Sequence, residues 1–353
     1  MNKKILLLLC FLIIFVTLIF GKNKISYRNE IEIKNYYNSN IINLSESQLT
    51  EFLNSENQEK YHIKTADDFI TSLRYEFRIK HSFPFGHTQI DKLIFKRSIY
   101  YNNEIKDNSY FGAEIRQYFS RNFNITFKYF YYPKIYVNHY ESVLDEDNYH
   151  EFSYSKNYYN SILRWKISNN VRLDYQFKFS QFFHNGYFTE YDANCFESVI
   201  GSKIISTENS KLYFRYSYKI SKAQAEKAFE NLAEIDEIKD PSYESNIYYF
   251  SFSTPINLKI FSSPLKFSSN VEFEERFYQS NQALEIDPYH FGRNDKIFEV
   301  ESFLKCSLSG IKLKLFYKYK TRKTSSAAGN FVEEDKEYSK YEIGFTIEKK
   351  FNF

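Results

Sequence analysis

The chain is short of the residues that cross-link or punctuate ordinary folds: among 353 residues there are 3 Cys, 6 Pro, 9 Gly, 1 Met and 1 Trp. So few cysteines exclude a disulfide framework, and Cys195 and Cys306 lack metal-ligand spacing, so they read as small strand residues. Beyond Gly21 no uninterrupted apolar stretch approaches the roughly 18 residues of a spanning helix, and the mean hydropathy of -0.55 is that of a water-soluble chain. Helical membrane proteins are thereby excluded. Charge of one sign is also missing. The 47 Lys and Arg nearly balance 44 Asp and Glu for a net +3, and the basic run 318–323 reads as a strand end, so nucleic acid is not an expected partner. His139, His150, His184 and His290 fall in or beside expected loops without a G-x-S-x-G or H-E-x-x-H motif. The acidic runs 145–147 and 333–335 lack the ligand spacing of a calcium loop. An enzyme is therefore not expected, and neither a cofactor nor a metal site.

What abounds is aromatic: 33 Tyr and 37 Phe bring the aromatic share to 20%, more than a soluble core requires. Period-two alternation explains how so many apolar rings coexist with low hydropathy. Val171, Leu173, Tyr175, Phe177 and Phe179 interleave with Arg172, Asp174, Gln176, Lys178 and Ser180. The same holds for Leu212 to Ile220 against Tyr213 to Ser221, and for Ile311 to Tyr319 against Lys312 to Lys320. Alternate side chains of a strand point to opposite faces, and each segment has about the length that crosses a membrane when tilted. The expected fold is all-β, a transmembrane antiparallel up-and-down barrel with one lipid face and one polar face.

The ends and connections add direction. Residues 1–21 run from Lys3 and Lys4 through the apolar stretch 5–20 to Gly21, the order of a secretory signal; a retained anchor is the alternative. The barrel then occupies 22–353. Short connections at 120–122, 168–170, 207–210 and 309–310 alternate with long ones at 140–150, 183–194, 222–243, 279–294 and 322–336, as periplasmic turns alternate with extracellular loops. Counting back from the C-terminus gives strands at 338–353, 311–321, 296–308, 264–278, 245–254, 211–221, 195–206, 171–182, 153–167, 122–133, 110–119, 89–101 and 69–81. That number is odd, whereas bacterial single-chain barrels are even. Residues 24–37 supply the missing strand, giving 14 with 12 as the alternative, and make 38–68 the first long loop. Two loops show helical character: Ser45 with Gln48 three residues on is a weak capping box, and 222–238 is rich in Ala, Glu and Lys.

At the C-terminus Tyr341, Ile343, Phe345, Ile347, Phe351 and Phe353 stand at alternate positions, interrupted by Lys349. This resembles the terminal signature of Gram-negative bacterial outer-membrane β-barrel proteins. The resemblance implies an outer-membrane location, contact with outer-membrane lipid and recognition by the barrel assembly machinery. Lys349 departs from it, by snorkelling to the headgroups or through a local strand irregularity.

The two faces carry different chemistry. On the lipid side fall Trp165, Tyr129, Tyr131, Tyr175, Tyr218, Tyr317 and Tyr319, rings suited to the interfacial girdle. The opposite, lumen-facing side collects Arg74, Arg78, Lys80, Arg116, Lys128, Arg164, Lys166, Arg172, Lys178, Arg215, Lys219, Lys312, Lys314, Lys318 and Lys320. Fewer acids share it: Glu76, Glu114, Asp174, Glu272, Glu274, Glu299, Glu301, Glu342 and Glu348. Unequal charge cannot pair completely, so the lumen is expected to be hydrated and net positive, a passive pore for small, preferably anionic solutes. Two alternatives stand beside it: a wall braced by ion pairs without a pore, and a surface barrel whose loops bind a host, a phage or an envelope component. A monomer is expected.

Overall fold

The computed structural model describes residues 25–352 apart from 83–86, 143, 207–209, 225–238 and 261–262. Residues 1–21, expected to be a secretory signal, most of 222–238, expected to be helical, and Phe353 lie outside the described residues. Strands dominate: β1 (Ser26–Asn38), β2 (Asp68–Ser82), β3 (Thr88–Tyr100), β4 (Asn108–Tyr118), β5 (Phe123–Ser142), β6 (Asp145–Lys166) and β7 (Val171–His184). There follow β8 (Ala193–Ile205), β9 (Lys211–Ala223), β10 (Tyr243–Ile260), β11 (Ser263–Tyr278), β12 (Asn294–Leu308), β13 (Ile311–Ser325) and β14 (Tyr338–Asn352). Each pairs antiparallel with its chain neighbours, and β1 pairs with β14, so the described residues form a closed barrel of 14 strands. Residues 26–38 do supply the strand that the odd count required.

Closure leaves no sheet edge, so the strand backbone is satisfied from both sides. At the seam the register runs without a break from Arg28 opposite Asn352 to Asn38 opposite Glu342. The β13–β14 register is also continuous, so Lys349 sits in a regular strand. It is exposed beside Ile347, its Nζ 5.2 Å from the centre of the Phe351 ring. Irregularities lie elsewhere, and two accompany prolines, which cannot donate to a ladder. Pro133 sits in the register shift between Tyr132 and Ile135; Pro255 directly precedes the shift that begins at Ile256. The β12–β13 turn is two residues, Ser309 and Gly310, both at positive φ, the geometry whose twist suits a tight hairpin.

One expected loop is corrected. Residues 140–150 are mostly strand, because β5 and β6 continue past the neighbouring strands and meet at Ser142 opposite Asp145. Above the neighbours neither face of the hairpin has to be uniformly apolar, so its polar sequence reads as a loop while its backbone stays paired. Within the long loop after β1, the helix α1 (Glu46–Leu53) carries the expected capping box, with Ser45 Oγ accepting from Gln48 N and Gln48 Oε1 accepting from Ser45 N. A second helix, α2 (Asn330–Lys336), lies between β13 and β14.

At two places on the polar face a ring packs where a Cβ atom is missing. Gly112 lies under the ring of Phe130, directly opposite on β5, and Gly344 lies against Asn35 and Tyr36 at the seam. Replacing Gly344 with valine would drive a side chain into the β1 backbone. The expected cost is about 1–3 kcal/mol, seen as a lower urea midpoint for the detergent-folded barrel. Gly186→Val, with nothing within 4 Å of its Cβ position, should leave the midpoint unchanged.

Candidate functional site: the charged face and the loop cap

Register sorts every strand into two faces. One carries the exposed large apolar side chains, among them Leu73, Leu93, Phe111, Phe127, Ile200, Phe214, Phe250, Leu304, Leu315, Ile343 and Phe345. Trp165, Tyr175, Tyr218 and Tyr317 are exposed on this same face, and Tyr129, Tyr131 and Tyr319 share it by register. Among its departures is a polar pair next to the β2–β3 turn: His81 Nε2 meets Asp91 Oδ2 at 2.7 Å, both residues buried.

The opposite face brings together the charged residues picked out by alternation. Arg74 Nη2 meets Glu76 at 2.6 Å, and Glu76 also takes Lys92 at 3.0 Å. Glu114, nearly buried, is shared by Arg116 at 2.8 Å, Lys128 at 3.3 Å and Lys92 at 3.9 Å. Further round, Asp174 takes Arg172 at 2.8 Å and Arg164 at 3.8 Å, and Lys178 meets Glu197 at 2.6 Å. Arg215 meets Glu272, Glu274 takes Arg276, Lys318 meets Glu299 and Lys312 meets Glu348. Lys34 of β1 reaches Glu342 of β14 at 3.8 Å, carrying the network across the seam. Arg78, Lys314 and Glu301 share the face by register but appear in none of these pairs. Several carboxylates serve two or three cations, so the surplus of base is structural.

Alternation alone missed Lys92, Glu197 and Arg276. On β3 the charged face also carries the buried Ile90 and Ile94 while the apolar face carries Asp91, so neither parity stands out. Cys195 and Cys306 lie on opposite faces, on β8 and β12, and both are free thiols.

At the long-loop end, loops from non-adjacent strands interlock. Ile41, Ile42, Leu44, Tyr61, Ile63 and Ala66 of the first loop form a small buried core with Tyr136 of β5, and His62 stacks on His139 at 3.6 Å. From the other side of the β5–β6 hairpin, Phe152 packs on Phe188 and Tyr191 of the β7–β8 loop. Tyr191 meets His290 of the β11–β12 loop, Tyr289 of that loop meets Phe331 of α2, and Asp335 of α2 accepts from Gln48 of α1. The circuit returns to its start, a cap laid across the mouth. Its histidines are engaged in it: His150 with Asp145, His184 with Asp192, His290 with Asp287. Asp287 also accepts from Ser280 at 2.8 Å. The acid thus stands between serine and histidine, whereas a nucleophile needs the base beside it.

A closed antiparallel barrel with a largely apolar outside, rings at the strand ends and most charges gathered on the other face defines a transmembrane β-barrel. No protein-family model matches the chain, and no curated protein matches it. Solved structures are similar at low identity. A bacterial polysaccharide outer membrane secretin shares 9% identity over 92% of this chain and 98% of that chain, with a TM-score of 0.48. An anion-selective porin from Comamonas acidovorans shares 7% over 93% and 99%, with a TM-score of 0.42. The outer membrane protein OprD from Pseudomonas aeruginosa shares 10% over 95% and 96%, with a TM-score of 0.37. At these levels none assigns an activity to this chain.

Two measurements probe the faces and the cap. Trp165, the single tryptophan, is 58% exposed beside the short turns. In vesicles its fluorescence should be quenched more by bromine placed near the headgroups than by bromine at the acyl ends; the reverse order would remove it from an interfacial ring. In the cap, burial pushes the Glu190 carboxyl up to about 7 from its ordinary 4.5. Glu190 is 1% exposed, and its Oε2 has no hydrogen-bond partner among the described residues. Since the folded value is the higher, its stabilising contribution is complete below about pH 4.5 and is lost as pH rises through about 7. The loss is on the order of 3 kcal/mol. Amides of residues 185–192, corrected for intrinsic exchange, should therefore exchange more slowly at about pH 5 than at about pH 8, and Glu190→Gln should flatten the difference.

Proposed function

We propose that the chain is a channel of the Gram-negative outer membrane, with the charged face lining a hydrated lumen that favours small anions. The capped end faces outward, while the short turns and both chain ends lie in the periplasm. One observation carries the reading: Lys266 stands directly opposite Lys305, and Lys305 directly opposite Lys314, across β11, β12 and β13. Like charges in direct register destabilise a sheet, and a wall built only for bracing would alternate signs there. Instead, Lys305 and Lys314 place their ammonium groups 4.7 Å and 3.8 Å from the centre of the Phe303 ring. Such a row repels cations, attracts counter-ions and needs water around it.

The interlocked cap favours a second reading, a surface barrel whose loops are the working part. Planar-bilayer recording separates the two. The channel should give discrete ion steps with a reversal potential displaced towards anions in a salt gradient. Lys305→Gln with Lys314→Gln should reduce that preference, and Glu114→Gln, which removes the anion shared by Lys92, Arg116 and Lys128, should raise it. A folded barrel without steps would leave the surface reading, and steps favouring cations would remove the anion preference.

A further inference from the structure

At the short-turn end, within electrostatic reach of the Lys266 row, the ends of neighbouring hairpins enclose a cavity of about 240 Å³. Five cations line it: Arg121 from the β4–β5 turn, Arg164 and Lys166 from β6, Arg172 from β7 and Lys203 from β8. Lys166 stands directly opposite Arg172, and Arg172 directly opposite Lys203, so the wall carries three like charges in one row. Asp174 answers part of this, bonding Arg172 at 2.8 Å and lying 3.8 Å from Arg164. Arg121, Lys166 and Lys203 have no carboxylate partner among the described residues. Lys166 spends its ammonium on the neutral Oδ1 of Asn169 at 2.9 Å. The Arg172 Nε is buried, and among the described residues it too lacks an acceptor. A buried guanidinium donor without an acceptor is costly, and it adds to the positive charge that the wall leaves uncompensated.

We propose that this cavity is a binding site for a compact multivalent phosphate, a diphosphate or a small phosphate ester, at the periplasmic mouth of the channel. The inference rests on the charged face being the lumen wall. Charge selects the class: three uncompensated cations and two shared ones exceed what a single carboxylate or chloride can balance, while a phosphate ester brings nearly two negative charges and three acceptor oxygens. Geometry agrees, because planar guanidinium forks suit phosphate oxygens in paired contacts and lysines add point charge. Size bounds the ligand. The cavity is smaller than the roughly 300 Å³ at which sites for drug-sized ligands begin, so the phosphate group itself, with little attached, fills it. A ligand held here sits at the short-turn end beside the Lys266 row, where a solute that had passed the cap would leave the lumen.

Calorimetric titration of the folded barrel with sodium pyrophosphate in neutral detergent tests the site. Saturable binding is expected, weakened about tenfold in Lys203→Gln and in Arg121→Gln, as for the loss of one charge-assisted contact. Lys203→Arg should restore most of it. Lys314→Gln, in the other basic row, should change it less than twofold. Competition by lysophosphatidic acid would identify a lipid headgroup as the source of the phosphate, and its absence a free solute; both outcomes keep the site. No saturable heat, or equal loss in Lys314→Gln, would overturn it in favour of a diffuse basic field. Because the titration requires no ion flow, a barrel that binds pyrophosphate here but never conducts would refute the channel and retain the site.

Discussion

In hydrocarbon an unpaired peptide N–H or C=O costs several kcal/mol, since no water is there to take its place. Everything else in this molecule follows from meeting that penalty with strands alone. Fourteen strands satisfy one another only if the first returns to the last, and β1 meets β14 along nearly the whole length of both. Closure divides the side chains into two populations that never mix along a regular strand. The irregular places are those where pairing is relaxed: the prolines of β5 and β10, and the bulged upper part of the β5–β6 hairpin.

Lipid dictates the apolar population by exclusion, but nothing dictates the charged one so simply. A wall meant only to stand would balance its signs. Here Glu76, Glu114 and Asp174 are each divided between two or three cations, while two basic rows lie opposite themselves. Self-repulsion is a stability cost, set against the strength of a closed hydrogen-bonded cylinder. Rings of Phe130 and Tyr36 over glycines add packing on the same face, so the wall is aromatic as well as basic.

Much of this was legible in the sequence because membrane strands obey a strict period. The fourteen strands follow from alternation, and β1 follows from parity, the requirement that an up-and-down barrel have an even count. Legibility ends where the lipid ends. Residues 140–150 look like a loop because 145–147 are acidic, yet Asp145 pairs with Ser142 in a continuing hairpin. The cap left one trace, the Ser45 and Gln48 box, because its contacts join segments that no periodicity relates. The basic cavity at the short-turn end left none, since Arg121 and Lys203 are brought together by strand register and not by spacing.

The cap also implies an order of events in assembly. Gln48 and Asp335 are separated by 287 positions, and both helices hang from strands that flank the seam. Contacts at such separation come late, after the chain between them has been arranged. Docking of α1 on α2 and pairing of β14 with β1 span nearly the same length of chain and therefore belong to the same late stage. The finished cap closes over the same seam as the cylinder, and an unsealed barrel would leave α1 and α2 apart, the state in which a protease would meet it first.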